Sequence, residues 1–265
     1  SKFVKVVLSG TGGDELFGGY PWRYYRAVVN DDFEQYIDKY YLYWQRLVDN
    51  AHLKNMFAPI WKDVRHVRTR NIFRDVFQQH QGTLKTPEDY INHSLYFESK
   101  TFLHGLLVVE DKLSMAHGLE TRVPFLDNDL VDFSMSCPVS LKLNNLADVI
   151  HINENDPEHK QNKFFHKTRD GKQILRDVMK RHIPDKVTQA KKQGFCAPDA
   201  SWFKGDSIEF VKRTLMNGYA NIYEYMDRPI VEKLIKEHLD GTENRRLLIW
   251  SLLNVEQYLK EVGHD

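Results

Sequence analysis

Phe3-Val4-Lys5-Val6-Val7-Leu8-Ser9-Gly10-Thr11-Gly12-Gly13-Asp14-Glu15 opens the chain with an apolar, β-branched run that stops on a glycine turn and enters an acidic helix start. This pattern predicts a buried strand over residues 3–8 feeding a tight turn. It is the only convincing strand in the sequence. A lone strand leaves its own backbone donors and acceptors unpaired, so its ladder partners are expected from outside the visible pattern. Something is expected to be missing on the N-terminal side.

Outward from this stretch the periodicity is helical. Asp31-Asp32 caps a run through Phe33, Tyr36, Ile37, Tyr40, Tyr41, Trp44 and Leu47, spaced by threes and fours as a buried helix face requires. The aromatic stripe reads as core. Thr86-Pro87-Glu88-Asp89 combines a cap, a proline at the first position and acids in the first turn. It predicts one long helix carrying Phe102, Leu106, Val109, Leu113 and Ala116 on one face and ending at Gly118. A short helix after Asp127 should stop at Pro138. Residues 146–170 are polar with little periodicity, the signature of a mobile loop or lid. Helices resume near 172–182, 201–216, 229–239 and 243–262. With no internal repeat and no Pro/Gly/Ser linker, a single compact unit over residues 1–265 is the economical reading.

Composition agrees with a mostly α fold. The 265 residues are 42% hydrophobic and include 14 glycines and 9 prolines, too few for a turn-rich sandwich or barrel. Charges cancel, with 37 Lys+Arg against 37 Asp+Glu, so a basic nucleic-acid-binding face is not expected. Cys137 and Cys196 lack zinc-ligand spacing and are too few for a disulfide scaffold, which suits a reducing, cytoplasmic setting. No apolar run approaches the length of a membrane span.

Three segments carry chemistry. In Ser9–Tyr20 a strand-to-helix turn aims several backbone N–H groups at one spot beside two carboxylates, Asp14 and Glu15. Such N–H groups favour an anion that the carboxylates would repel, and Mg²⁺ between phosphate and carboxylate resolves the conflict. The stretch is neither a Walker A loop nor a dinucleotide fingerprint, and a tight turn with capping acids is the plain alternative. In Asp170-Gly171-Lys172-Gln173, a lysine in a first helical turn opposes the dipole unless an anion binds there. A solvated lysine is the plain alternative. Lys192, in a basic loop before a helix, is a second candidate phosphate contact. In the third segment, Glu110 falls at i, i+4, i+7 spacing with Leu103 and Leu107, on a partly buried face where a carboxylate needs a partner or a role. An ion pair with Lys112 or Arg122 would satisfy it.

Ser9-Gly-Thr-Gly-Gly-Asp-Glu-Leu-Phe-Gly-Gly-Tyr20, Lys112–Asp127 with its Glu-Thr-Arg-Val-Pro-Phe-Leu-Asp ending, and Gly171-Lys172-Gln-Ile-Leu-Arg176 occur in one order. Together they resemble the C-terminal synthetase domain of glutamine-dependent asparagine synthetases, over nearly the whole chain. The resemblance implies the helical C-terminal part of an adenine nucleotide α-hydrolase-like α/β domain, contributing one strand of its parallel sheet. It implies two steps. ATP adenylates the side-chain carboxylate of aspartate and releases pyrophosphate; ammonia from a separate glutamine-hydrolysing domain then attacks the acyl adenylate, giving asparagine and AMP. By position, Ser9, Gly10, Thr11 and Gly12 would meet nucleotide or acyl adenylate, Asp14 would hold Mg²⁺, and Lys172 would stabilise the departing pyrophosphate, with Glu15 and Glu110 in the catalytic set and Lys192 beside the nucleotide.

Two departures stand out. Asparagine synthetases typically carry glutamate at the position of Thr11, and β-lactam synthetases carry tyrosine; threonine is no general base near neutral pH. A related amidotransferase acting on another carboxylate, such as a sugar acid, would keep the scaffold and change this position. The family's Ser-Gly-Gly-x-Asp-Ser pyrophosphate loop and N-terminal glutaminase cysteine do not occur in these residues. Both are expected elsewhere in a longer parent, and the chain alone is expected to be inactive. A homodimer stays open. The competing reading is a non-catalytic helical interaction module.

Overall fold

The computed structural model describes residues 1–78, 84–149, 170–190 and 207–263. These residues divide into two compact units, each drawn from two separate stretches of chain: Ser1–Leu42 with Arg70–Gln193, and Tyr43–Thr69 with Gly194–Asp265. The architecture is mostly helical with one small parallel sheet.

The first unit begins with β1 (Val6–Leu8), which runs through the glycine turn into α1 (Gly13–Phe17) and α2 (Pro21–Tyr24). Next comes α3 (Phe33–Trp44), whose last two residues belong to the second unit. The second unit takes α4 (Asn50–Met56) and α5 (Trp61–Val64), and α6 (Thr69–Asp75) returns the chain to the first. Then follow α7 (Pro87–Lys100), α8 (Phe102–Ala116), β2 (Glu120–Arg122), α9 (Asn128–Ser136), α10 (Val139–Lys142), α11 (Leu146–Val149), α12 (Gln173–Met179) and α13 (Asp185–Thr188). The remaining helices, α14 (Ser207–Leu215), α15 (Arg228–Leu239) and α16 (Arg246–Val262), complete the second unit.

Two helices begin where their capping residues predict, while α4, α5 and α6 carried no such signal in the sequence reading. Thr86 Oγ1 accepts from Asp89 N and the Asp89 carboxylate accepts from Thr86 N at 2.9 Å, a reciprocal cap at the head of α7. Asp127 Oδ1 caps α9 through Asp129 N and Leu130 N. The aromatic stripe of α3 is core: Tyr36 and Tyr40 stack at 5.6 Å and pack against Phe73, Phe77, Tyr90 and Phe97. A second cluster, with Tyr24, Ile91, Leu95, Val139 and Leu143, backs α2 and α7. In the second unit Met56, Val211, Leu215, Ile222, Val231, Ile235, Ile249 and Leu252 form the core. Exclusion of these side chains from water drives each unit's folding, at ~1.5–3 kcal/mol for a large side chain.

Three expectations are corrected. The long helix from Thr86 to Gly118 is two helices, because Thr101 leaves helical geometry at φ −119°, ψ −69° and its hydroxyl bonds back to Phe97 O at 2.7 Å. Leu106, Val109 and Leu113 of α8, and Leu47 beyond the end of α3, are exposed rather than core-facing. The opening strand is not alone and not buried: Glu120–Arg122, read as part of a helix exit and turn, pairs with it in parallel, Val7 opposite Thr121, while Leu8 is 78% exposed. The second strand was missed because Glu-Thr-Arg has neither length nor apolar alternation.

Candidate active site

The glycine loop leaves the sheet at Ser9, whose N–H extends the ladder to Arg122 O at 2.8 Å. Gly12 turns the chain with φ 93°, and a Cβ there would lie 2.4 Å from a Leu126 methyl carbon. Gly13 faces the Phe125 ring less tightly, 3.3 Å from its would-be Cβ. The Val-Pro-Phe-Leu segment thus forms the floor beneath the loop, and glycines are required where backbone must lie on it. Gly10 differs, since a Cβ there would meet nothing within 4 Å. Its missing side chain leaves the backbone open to solvent and to any ligand.

Two carboxylates meet this loop. The first is Glu110 of α8, which accepts a hydrogen bond from Thr11 Oγ1 at 2.6 Å. Thr11 spends its only hydroxyl hydrogen there, so Ser9 Oγ donates to Thr11 Oγ1 across 2.9 Å while accepting from Thr11 N at 3.2 Å. Ser9, Thr11 and Glu110 form a directed chain of donors ending on a carboxylate. The ion pairs considered for Glu110 are not its contacts among the described residues; Arg122 pairs with Glu120 at 2.6 Å.

The second is Asp14, whose Oδ1 lies 2.9 Å from Lys172 Nζ. Both side chains are partly exposed, at 19% and 28%. Gly19 permits this arrangement, since a Cβ there would sit 1.8 Å from Asp14 Oδ1. Lys172 is the N-cap of α12 rather than part of its first turn, at φ 56°. α1 and α12 have five and seven residues, so their dipoles are small and the positive charge at this place is the lysine's own. The conflict of a lysine at a helix start is met by a carboxylate already within the fold.

Glu15 turns away from these groups. Its residue is 1% exposed, and burial, more than any other influence, raises its carboxyl above the ordinary range while the Tyr20 hydroxyl bonds to it. It belongs with a buried cluster that sequence reasoning missed. Arg23 pairs with Glu98 at 3.0 Å and lies over the Tyr20 and Phe102 rings at 3.7 and 4.4 Å. Tyr40 donates to Glu98 Oε1 at 2.9 Å. Burial pushes the Glu98 carboxyl up to about 7, opposed in part by Arg23 and Tyr40. A signal existed: Glu98 interrupts the buried face formed by Ile91, Ser94 and Leu95 on α7, where a carboxylate must have partners.

The structure therefore joins Ser9, Thr11 and Glu110 at one end of the loop and Asp14 and Lys172 at the other, with Gly10 and Gly12 between. Lys192 and residues 150–169 of the polar stretch lie outside the described residues, while its first four residues, expected in a loop, form the short helix α11. Among the described residues no cluster of three or more His, Cys, Asp or Glu side chains is arranged to hold a metal. Mg²⁺ needs no such cage, since one or two carboxylates commonly bind it together with substrate phosphates and water, and the Asp14 carboxylate, partly open and 2.9 Å from the Lys172 ammonium, fits that donor set.

Comparison with known proteins agrees in kind. The chain is 27% identical to asparagine synthetase [glutamine-hydrolyzing] 1 of Bacillus subtilis, covering all of this chain and 43% of that protein. It is 24% identical to a putative asparagine synthetase of Mycobacterium tuberculosis, over 95% of this chain and 38% of that one. Amidase chry2 of Gibberella zeae is 20% identical over 97% of the chain and 41% of the relative. The chain thus spans less than half the length of these curated relatives. No solved structure matches. No helix among the described residues is long and apolar enough to cross a membrane. The asparagine synthase profile matches residues 1–260, and the chain belongs to that family.

Proposed function

We propose that this chain supplies, within a longer polypeptide, the Mg²⁺ and pyrophosphate side of an ATP-dependent amide-forming site. The observation that carries the reading is the placement of Lys172 Nζ 2.9 Å from Asp14 Oδ1 at the rim of a glycine loop. A cation and a carboxylate so placed match a metal-bound polyphosphate, with the lysine meeting phosphate oxygens and the carboxylate meeting the metal. Magnesium held by Asp14 would neutralise phosphate charge. Lys172 stabilises negative charge as it builds on the departing pyrophosphate, an electrostatic contribution strengthened by its fixed position. Ser9, Gly10, Thr11 and Gly12 offer backbone and hydroxyl groups to the nucleotide and acyl adenylate. Glu15, buried beside the Tyr20 hydroxyl, stands back from these groups and does not meet the substrates in this reading.

Thr11 withholds from its own position the carboxylate that asparagine synthetases typically carry there, and Glu110 supplies one from α8 at 2.6 Å. We assign Glu110 as the base that takes a proton from the attacking ammonia nitrogen, with Thr11 and Ser9 orienting it. A carboxylate set back behind a hydroxyl leaves more room over the loop. This supports an acceptor other than aspartate, such as the carboxylate of a sugar acid. The open edge of β1 and the exposed Phe3, Val6 and Leu8 favour a sheet continued by another part of the longer polypeptide.

The test is release of pyrophosphate from ATP by the full-length polypeptide, supplied with ammonia or glutamine and a panel of carboxylates. Carboxylate-dependent release that falls by about 10²-fold or more in Lys172→Ala is the result expected for a charge-stabilising group. No release with any carboxylate would overturn the catalytic reading and favour an interaction module.

A further inference from the structure

Lys172 is the only non-glycine residue with positive φ among the described residues, at φ 56°. That conformation is unfavourable for a side chain with a Cβ and persists only where its surroundings impose it. The surroundings here converge on one buried carboxylate. Asp170, 6% exposed, accepts through Oδ1 from Gly171 N at 2.8 Å and Asn144 N at 2.7 Å, and through Oδ2 from the Tyr25 hydroxyl. Gly171 then turns at φ 92° with its would-be Cβ 2.6 Å from Gly18 O, and Lys172 N donates to Phe17 O at 3.0 Å. Arg176 Nε closes the turn on Gly171 O at 3.0 Å.

These contacts tie the lysine's turn to the end of α1 and to the segment after α2. The same α1 carries Asp14, so one clamp fixes both charged groups relative to the glycine loop. We infer that Asp170, held by Tyr25, is a positioning residue that imposes the left-handed conformation of Lys172 and so aims its ammonium at the phosphates. The inference rests on the pyrophosphate reading of Lys172. Asp170 touches no phosphate itself; it acts through the backbone at Gly171 and Lys172.

The experiment is calorimetric titration of inorganic pyrophosphate with Mg²⁺ into the full-length polypeptide, with AMP as a control ligand that lacks the leaving group. Asp170→Asn keeps the shape of the side chain but loses its charge and puts an amide where a carboxylate oxygen accepted. It should weaken pyrophosphate about ten-fold while leaving AMP within about two-fold. On a Lys172→Ala background the same substitution should add less than about two-fold, because nothing remains to aim. A folded Asp170→Asn protein with wild-type pyrophosphate affinity overturns the inference. So does an effect that multiplies in full with that of Lys172→Ala, which would mark Asp170 as merely structural. Should Asp170→Asn fail to fold, Tyr25→Phe removes one hydroxyl and decides the matter, with a loss of about three-fold expected and no change counting against the inference. If Lys172→Ala itself leaves pyrophosphate binding intact, the proposed function falls and this inference with it. If Lys172→Ala alone weakens binding, only the positioning role falls.

Discussion

Lys172 Nζ and Asp14 Oδ1 stand 2.9 Å apart, although the two residues come from opposite ends of the first unit's sequence. Each neutralises the other in the absence of ligand. A metal-bound pyrophosphate would separate their roles, giving the cation to phosphate and the carboxylate to the metal.

Removal of the lysine charge separates stability from activity. Lys172 is partly exposed, so Lys172→Ala is expected to fold with little loss, since ion pairs of this exposure contribute ~0–1 kcal/mol. Its turnover should fall by about 10²-fold or more. Thermal melting and pyrophosphate release, measured on one preparation, test both parts.

Glu110→Gln keeps an oxygen that can accept from Thr11 Oγ1 but cannot take a proton. Exchange of labelled pyrophosphate into ATP, which reports adenylation, should survive this change. Amide formation should drop by roughly 10²–10⁴-fold. Equal loss of both activities would remove Glu110 from the ammonia step.

Glycine substitutions should sort by what lies over each site. Gly171→Ala places a side chain at φ 92° and 2.6 Å from Gly18 O, costing at least ~1–2 kcal/mol from the conformation alone and shifting the Lys172 turn. Gly10→Ala meets nothing within 4 Å, so denaturant midpoints should match the wild type. A loss of nucleotide binding in a stable Gly10→Ala protein would show that ligand approaches the backbone there.

The buried Glu98 makes stability depend on pH. Its carboxyl is raised to about 7 by burial, so the folded state holds the proton more tightly than the unfolded chain does. The sign follows from linkage: this contribution is fully present below the unfolded value near 4.5 and is lost as pH rises through about 7. Arg23, Tyr40 and Glu15 face the group, with Arg23 and Tyr40 opposing the shift. Glu98→Gln should flatten the decline between pH 5 and pH 8 in denaturation experiments. An unchanged pH dependence would place the titrating group elsewhere.

Much of the local structure was legible because it is written locally. The Thr86–Asp89 cap, the Asp127 cap, the α3 stripe and the Gly118 helix end each depend on residues within a turn or two of one another. Order and spacing of the three motifs also carried the family. The break at Thr101 was not legible, since threonine between two apolar runs continues a helical pattern as well as it ends one. Neither was the division into two units, because the second is assembled from stretches far apart in the chain and no linker marks the crossings. The Arg23–Glu98 pair was half legible, visible as a carboxylate on an apolar face without any sign of its partner.

At the site, the candidate groups are readable from the order of residues alone: a glycine turn after a strand, Asp14 beside it, and a lysine and a glutamate whose positions asked for partners. Which partners they take was set by packing. It seated the loop on Phe125 and Leu126, set Glu110 against Thr11 rather than Arg122, turned Glu15 inward, and brought Lys172 to Asp14. The reason is physical. Caps and amphipathic faces arise from neighbours in sequence, whereas the pairing of charges depends on how helices pack, and a one-dimensional pattern holds no record of the distances that packing sets.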